Sequence, residues 1–249
     1  MQYRKTAFIG LLKQPFSFFF KNTQLALSIT LFITGSFLLH TRVSTIAGAL
    51  FGAGASFLGA WVTELNLKRS KKEEFERNEV EAKNFLTPEL NRIIERVLYI
   101  HSRSIPNFSA ASVEYFKSPL PYPTKPNDLQ QDFLPYLPVL YPNSEKFKYL
   151  KGEDAVAMVV FYDSLYKLEH SVRDWWAREG QLPLNLFLSF MNDVEKSLEL
   201  AELCIERFDM DNRFPPKYSS WGSLSSRISN SRKNAALTLE AHMRRANSK

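Results

Sequence analysis

Cysteine is almost missing from these 249 residues: Cys204 stands alone. One thiol forms no intramolecular disulfide and supplies no multi-cysteine metal site. Histidine is sparse as well. His40, His101, His170 and His242 lie far apart, without the short spacings of metal-ligating pairs. Only Gly152, Gly180 and Gly222, of nine glycines, lie beyond residue 60, so the polar part of the chain has no glycine-rich phosphate cradle. No run alternates apolar and polar residues as a half-buried strand would. No nucleophile has an evident base beside it. Cys204 falls between Leu203 and Ile205 in an amphipathic pattern, as a structural thiol does. His170 neighbours Glu169 and Asp174, where a hydrogen-bonded or exposed ring is the simpler reading. Asp163, Glu169, Asp174, Glu195, Glu199 and Glu202 recur between apolar positions, as solvated helix faces do. The Glu-x-x-His motif of a diiron bundle is absent. The expectation is a protein without catalytic residues, cofactor or metal.

Charge is missing from two stretches. Twenty uncharged residues separate Lys21 from Arg42, and twenty-one more separate Arg42 from Glu64. Each run is about what a helix needs to cross roughly 30 Å of hydrocarbon. Only the segment around His40, Thr41 and Arg42 separates them, which forces antiparallel neighbours. A cleaved signal peptide fits poorly, because no small-x-small site precedes a polar start. The sequence therefore predicts a retained transmembrane hairpin over residues 22–65. Lys and Arg set its direction. Arg4, Lys5, Lys13 and Lys21 flank the entry, Lys68, Arg69, Lys71 and Lys72 flank the exit, and the turn has Arg42 alone. Both termini are expected on the cytoplasmic side of the membrane. Residues 1–21 mix Phe8, Phe16, Phe18, Phe19 and Phe20 with lysines around Pro15, which suits a segment lying among lipid headgroups.

The second run has a small-residue face: Ser44, Gly48, Gly52, Ser56 and Ala60 recur every four residues. Small side chains let membrane helices approach closely and gain dispersion contact. Two partners fit this face: the first helix of the same hairpin, or another copy of the chain.

Residues 66–214 read as a cytoplasmic helical domain. A charged stalk runs to Phe85. Thr87 and Pro88 look like the cap and first residue of a helix over 88–103. Eight of thirteen prolines fall within residues 105–142, which predicts a long connection with short helices near 112–116 and 129–134. Its aromatic residues, Phe108, Tyr115, Phe116, Tyr122, Phe133, Tyr136 and Tyr141, are too many for a solvated linker, so it should wrap the core. Apolar spacing predicts helices over 153–179 and 183–210, with Gly180 ending one and Pro183 starting the next as an antiparallel pair. The expected fold is all-α: an N-terminal two-helix transmembrane hairpin, then an antiparallel helical bundle with a long proline-rich connection.

The net charge of +6 conceals a pattern. Residues 1–65 balance at +4, residues 66–214 at −4, and residues 215–249 at +6. The last segment is a basic, serine-rich tail with a short helix expected over 234–245. Its Lys217, Arg227, Arg232, Lys233, Arg244 and Arg245 could meet the phosphates of nucleic acid or anionic lipid. The alternative is a solvated tail.

Two short-looped membrane helices, a charged stalk and a small helical domain, in that order, resemble the two-transmembrane effectors of bacterial anti-phage systems, particularly those of some retrons. Leu140, Tyr141, Asn143, Lys146 and Leu150 before a helix with Phe161, Tyr162 and Leu165 are similar to a pattern in other bacterial two-transmembrane proteins. Phe147-Lys148-Tyr149-Leu150 departs from the Leu-Gly-Leu-Leu-like stretch usual there. The resemblance carries no catalytic residue across. It implies a toxin-like, self-associating effector that permeabilises the inner membrane. Restraint would come from a partner such as a reverse transcriptase with its RNA–DNA product. A harmless membrane-anchored adaptor that recruits a cytoplasmic protein or nucleic acid is the competing expectation.

Overall fold

The structure is a computed structural model that describes residues 22–39, 44–117, 129–177, 184–215 and 222–248. Among them are seven α-helices and no strand: α1 (Thr23–Leu38), α2 (Ser44–Lys117), α3 (Gln130–Phe133), α4 (Gly152–Trp176), α5 (Leu184–Arg207), α6 (Met210–Arg213) and α7 (Leu224–Asn247). A 3-10 turn spans Glu145–Tyr149. The chain divides into two units, Met1–Arg77 and Asn78–Lys249, with the boundary inside α2. Residues 1–21, His40, Thr41, Arg42, Tyr122, Gly180, Pro183 and Lys217 carried sequence expectations that lie outside the described residues.

In the first unit, α1 pairs with the start of α2. Ser28 donates to the Gly54 carbonyl at 2.8 Å, the Phe32 and Phe51 ring centroids lie 5.8 Å apart, and Gly35 faces Phe51 and Ala47. The pairs 28–54, 32–51 and 35–47 run in opposite directions, so the two helices are antiparallel. α2 contains a stretch long and apolar enough to cross a membrane; α1 is apolar but shorter, at 16 residues.

α2 is 74 residues long and continues through Pro88 and Pro106. This corrects the expectation of a new helix at Pro88 and of a connection starting at 105. Thr87 does not cap; its hydroxyl donates back to the Lys83 carbonyl. The reason is burial. Ala82, Leu86, Leu90, Ile93, Ile94, Val97, Phe108 and Ala111 hold one helical face through both prolines. A proline inside a helix costs about 3 kcal/mol. Each buried Leu or Ile gives back ~1.5–3 kcal/mol, so the continuous ridge wins.

α4 and α5 form the predicted antiparallel pair. Arg207 meets Glu153 at 2.8 Å, Cys204 lies on the Ala157 carbonyl at 3.6 Å, Ser171 donates to Asp193 at 2.6 Å, and the Trp175 and Phe187 rings are 4.4 Å apart. One partner number falls as the other rises. Trp175 is the centre of the core, with Phe190 stacked at 5.2 Å and Phe133 edge-on at 5.3 Å. Phe133 belongs to the proline-rich connection, which does wrap the core. Glu89 accepts from the Val139 amide at 2.6 Å, and Arg96 donates to the Leu134 carbonyl at 2.9 Å, so α2 clamps that connection at two points.

The basic segment is also folded. α7 starts at Leu224, ten residues before the expected helix, because Ser223 caps it by accepting from the Ser226 amide. Leu224, Ile228 and Ala235 are buried. The pairs Glu95–Arg227, His101–Ser231 and Ser112–His242 rise together, so α7 runs parallel to α2.

Candidate functional site

Two places collect the residues singled out by the sequence. The first is the outer face of α2 in the N-terminal unit. Gly48 and Gly52 have nothing within 4 Å of where a Cβ would stand, and Ser56 and Ala60 are exposed. Ser44 begins α2. The contact with α1 goes through Ala47, Phe51 and Gly54 instead. At 3.6 residues per turn, Ser56 lies about 140° round the helix from Phe51 and about 160° from Gly54. The small-residue face thus points away from α1. A Cβ at Gly54 would sit 3.3 Å from the Phe32 ring, so this glycine permits the close approach that Gly48 and Gly52 were read as offering. Phe32 and Phe51, which carry the contact, gave no small-residue signal to find.

Apart from Ser28, which bonds across to Gly54, five hydroxyls in this unit turn back onto their own helices. Thr30 donates to Ala26, Thr34 to Thr30, Ser36 to Phe32, Ser56 to Gly52 and Thr63 to Gly59, each at 2.8–3.0 Å. Large apolar side chains face outward, including Ile33, Phe37, Ile46 and Val62.

The second place is the seam of α7 with α2 and α5. His101, 1% exposed, has Nδ1 2.8 Å from the Ser231 hydroxyl and Nε2 3.0 Å from Glu195 Oε2. The ring thus lies between a hydroxyl and a carboxylate. Arg232 donates to Glu195, to Glu202 at 2.8 Å and to Glu199 at 3.4 Å. His101 first, and then Arg232, hold the Glu195 carboxyl below the usual range against a burial that raises it. Arg227 grips Glu95 through both guanidinium nitrogens at 2.6 and 2.8 Å. Arg245 donates to Ser112 at 3.0 Å, Arg244 pairs with Glu240 at 3.0 Å, and Lys233 is exposed. Glu195, Glu199 and Glu202, read from sequence as a solvated face, are therefore the acceptors of an arginine. Their i, i+4, i+7 spacing was visible; the arginine thirty or more residues later was not.

The hydroxyl, imidazole and carboxylate of Ser231, His101 and Glu195 have the order of a nucleophilic triad. Ser231 lies in the interior of α7, however, where backbone N–H groups are used by the helix and none is left to hold an oxyanion. Their contacts orient the imidazole ring between α5 and α7. A cavity of about 150 Å³ beside them is lined by His101, Asn192, Glu195, Arg232 and Leu239 among others. Burial pushes the Cys204 thiol up to about 12, so it stays protonated. Among the described residues no group of three His, Cys, Asp or Glu side chains is placed to hold a metal. Comparison with protein-family models, curated proteins and solved structures finds no match.

Proposed function

We propose that this chain is a two-pass protein of a bacterial inner membrane, with both termini cytoplasmic, and that it acts on the bilayer itself. Residues 22–65 are the membrane hairpin. Copies associate through Gly48, Gly52, Ser56 and Ala60, with Ser44 at the start of that face. The cytoplasmic domain restrains them until a partner lets go, and the assembled hairpins then permeabilise the membrane. In the anti-phage, retron-like setting that the architecture resembles, the restraining partner is a reverse transcriptase with its RNA–DNA product.

The observation that carries this reading is the open space at Gly48 and Gly52 on a face turned from α1. Exposed small residues between exposed large apolar ones offer close packing to a second apolar helix. The inward-turned hydroxyls support the membrane placement, since hydrocarbon gives them no other partner. Induced expression is expected to depolarise cells, and Gly48→Leu with Gly52→Leu to abolish this, read by a potential-sensitive dye. Depolarisation unchanged by the double substitution would sink the reading.

A membrane-anchored adaptor is the second reading. It is favoured by a patch of Tyr99, Leu129, Tyr136 and Val139 on the strap and α2, with Val139 71% exposed. Arg92 and Arg96 stack on Tyr136 at 5.1 Å and stiffen that patch for a partner protein. Harmless expression at the same membrane level would decide for it.

A further inference from the structure

α7 is bound unlike the other long helices of its unit. α5, also 24 residues, buries Leu184, Phe187, Phe190, Met191, Val194, Leu198 and Ile205. α7 buries Leu224, Ile228 and Ala235, and Ser231 beside them. What α7 lacks in apolar burial it makes up in charge. Its Arg227 and Arg232 lie on Glu95, Glu195, Glu199 and Glu202, carboxylates drawn from α2 and α5. All of these side chains are 29–40% exposed, so water and salt reach the contacts.

A guanidinium fork takes a phosphate as readily as a carboxylate. The acids of α2 and α5 therefore stand where phosphates could. Two classes of polyanion could replace them. The apolar residues decide between these. Leu224, Ile228 and Leu239 share α7 with the arginines, and Leu237 and Met243 are exposed already. A basic helix with apolar residues lies in a lipid headgroup layer, burying them. A nucleic-acid groove would leave them in water.

We propose that α7 is a releasable arm, docked on Glu95, Glu195, Glu199 and Glu202, and that an anionic lipid surface competes with those carboxylates and draws the arm onto the bilayer. The proposal rests on the reading that residues 22–65 lie in a membrane. Docking occupies Arg227 and Arg232, and release couples the state of α7 to anionic lipid.

The test uses the full chain in lipid nanodiscs, with spin labels at Ser229→Cys on α7 and Lys196→Cys on α5, both exposed positions. The native Cys204 is buried and stays unlabelled. In phosphatidylcholine one short distance is expected. With phosphatidylglycerol in equal part a longer distance should appear. The ratio of released to docked arm should rise about thirtyfold, the effect of two arginines at an anionic surface. Glu195→Gln with Glu202→Gln should raise the released share already in phosphatidylcholine. A distance that ignores phosphatidylglycerol would overturn the proposal. So would release by a short DNA duplex in phosphatidylcholine discs, which would assign the arm to nucleic acid. A chain that does not enter nanodiscs at all would instead refute the membrane reading.

Discussion

His242 sits near the end of α7 with its Nδ1 2.9 Å from the Ser112 hydroxyl, which also accepts from Arg245 at 3.0 Å. Burial, and then the charge of Arg245, lower its pKa from the ordinary 6.5. The folded state thus prefers the neutral ring. Stability from this residue is full above pH 6.5, and it falls as the pH drops below that value until the folded pKa is passed. Glu195 adds a second window. Its pKa lies below 4.5 in the fold, so its contribution is lost only as the pH falls through the acid range. Hydrogen exchange along α7 should therefore show its last turns opening on acidification from pH 7 to 5, ahead of Arg232. His242→Gln should flatten that response, and an equal response in the variant would contradict the assignment. At this scale the sequence was only partly legible. The glutamate spacing on α5 could be read, but Arg227 and Arg232 lay outside the helix expected over 234–245, and which carboxylate meets which arginine depends on helices brought together by the fold.

The helices themselves were the more legible level. The α4–α5 pair follows from apolar spacing alone, because both faces are wide and the connection is short. α2 was misread at Pro88 for a physical reason. Local rules treat proline as a boundary, and here the ridge from Ala82 to Ala111 overrides it by tertiary burial. The proline-rich connection over 105–142 was expected to wrap the core; its first part is the end of α2, and in the strap from Leu129 to Leu150 Phe133 is the anchor, set among Trp175, Trp176 and Phe190. Phe133→Ala should destabilise the domain by about 3–5 kcal/mol, the usual cost of removing a buried ring. Urea unfolding of the detergent-solubilised chain would measure it. A loss under about 1 kcal/mol would mean that the strap is not part of the folding unit.

At the scale of the whole molecule, the average composition conceals two unlike parts. A mean hydropathy of −0.25 sums an apolar N-terminal unit, whose large side chains face outward, and a C-terminal unit with Trp175 at its centre. From Gly222 to Ser248 the basic end is not a free tail: Arg227 and Arg232 lie on four carboxylates of the acidic middle that the sequence showed as a separate block. The small-residue face was visible in the sequence, but its direction was not, because that depends on where α1 lies. Its exposure is the central claim, and cysteine cross-linking in native inner-membrane vesicles tests it most directly. Ser56→Cys in the full chain should give disulfide-linked dimers, whereas Phe57→Cys, a quarter-turn or so round the helix, should remain monomeric. Dimers through Phe57→Cys with none through Ser56→Cys, or no dimers at either position, would contradict the account.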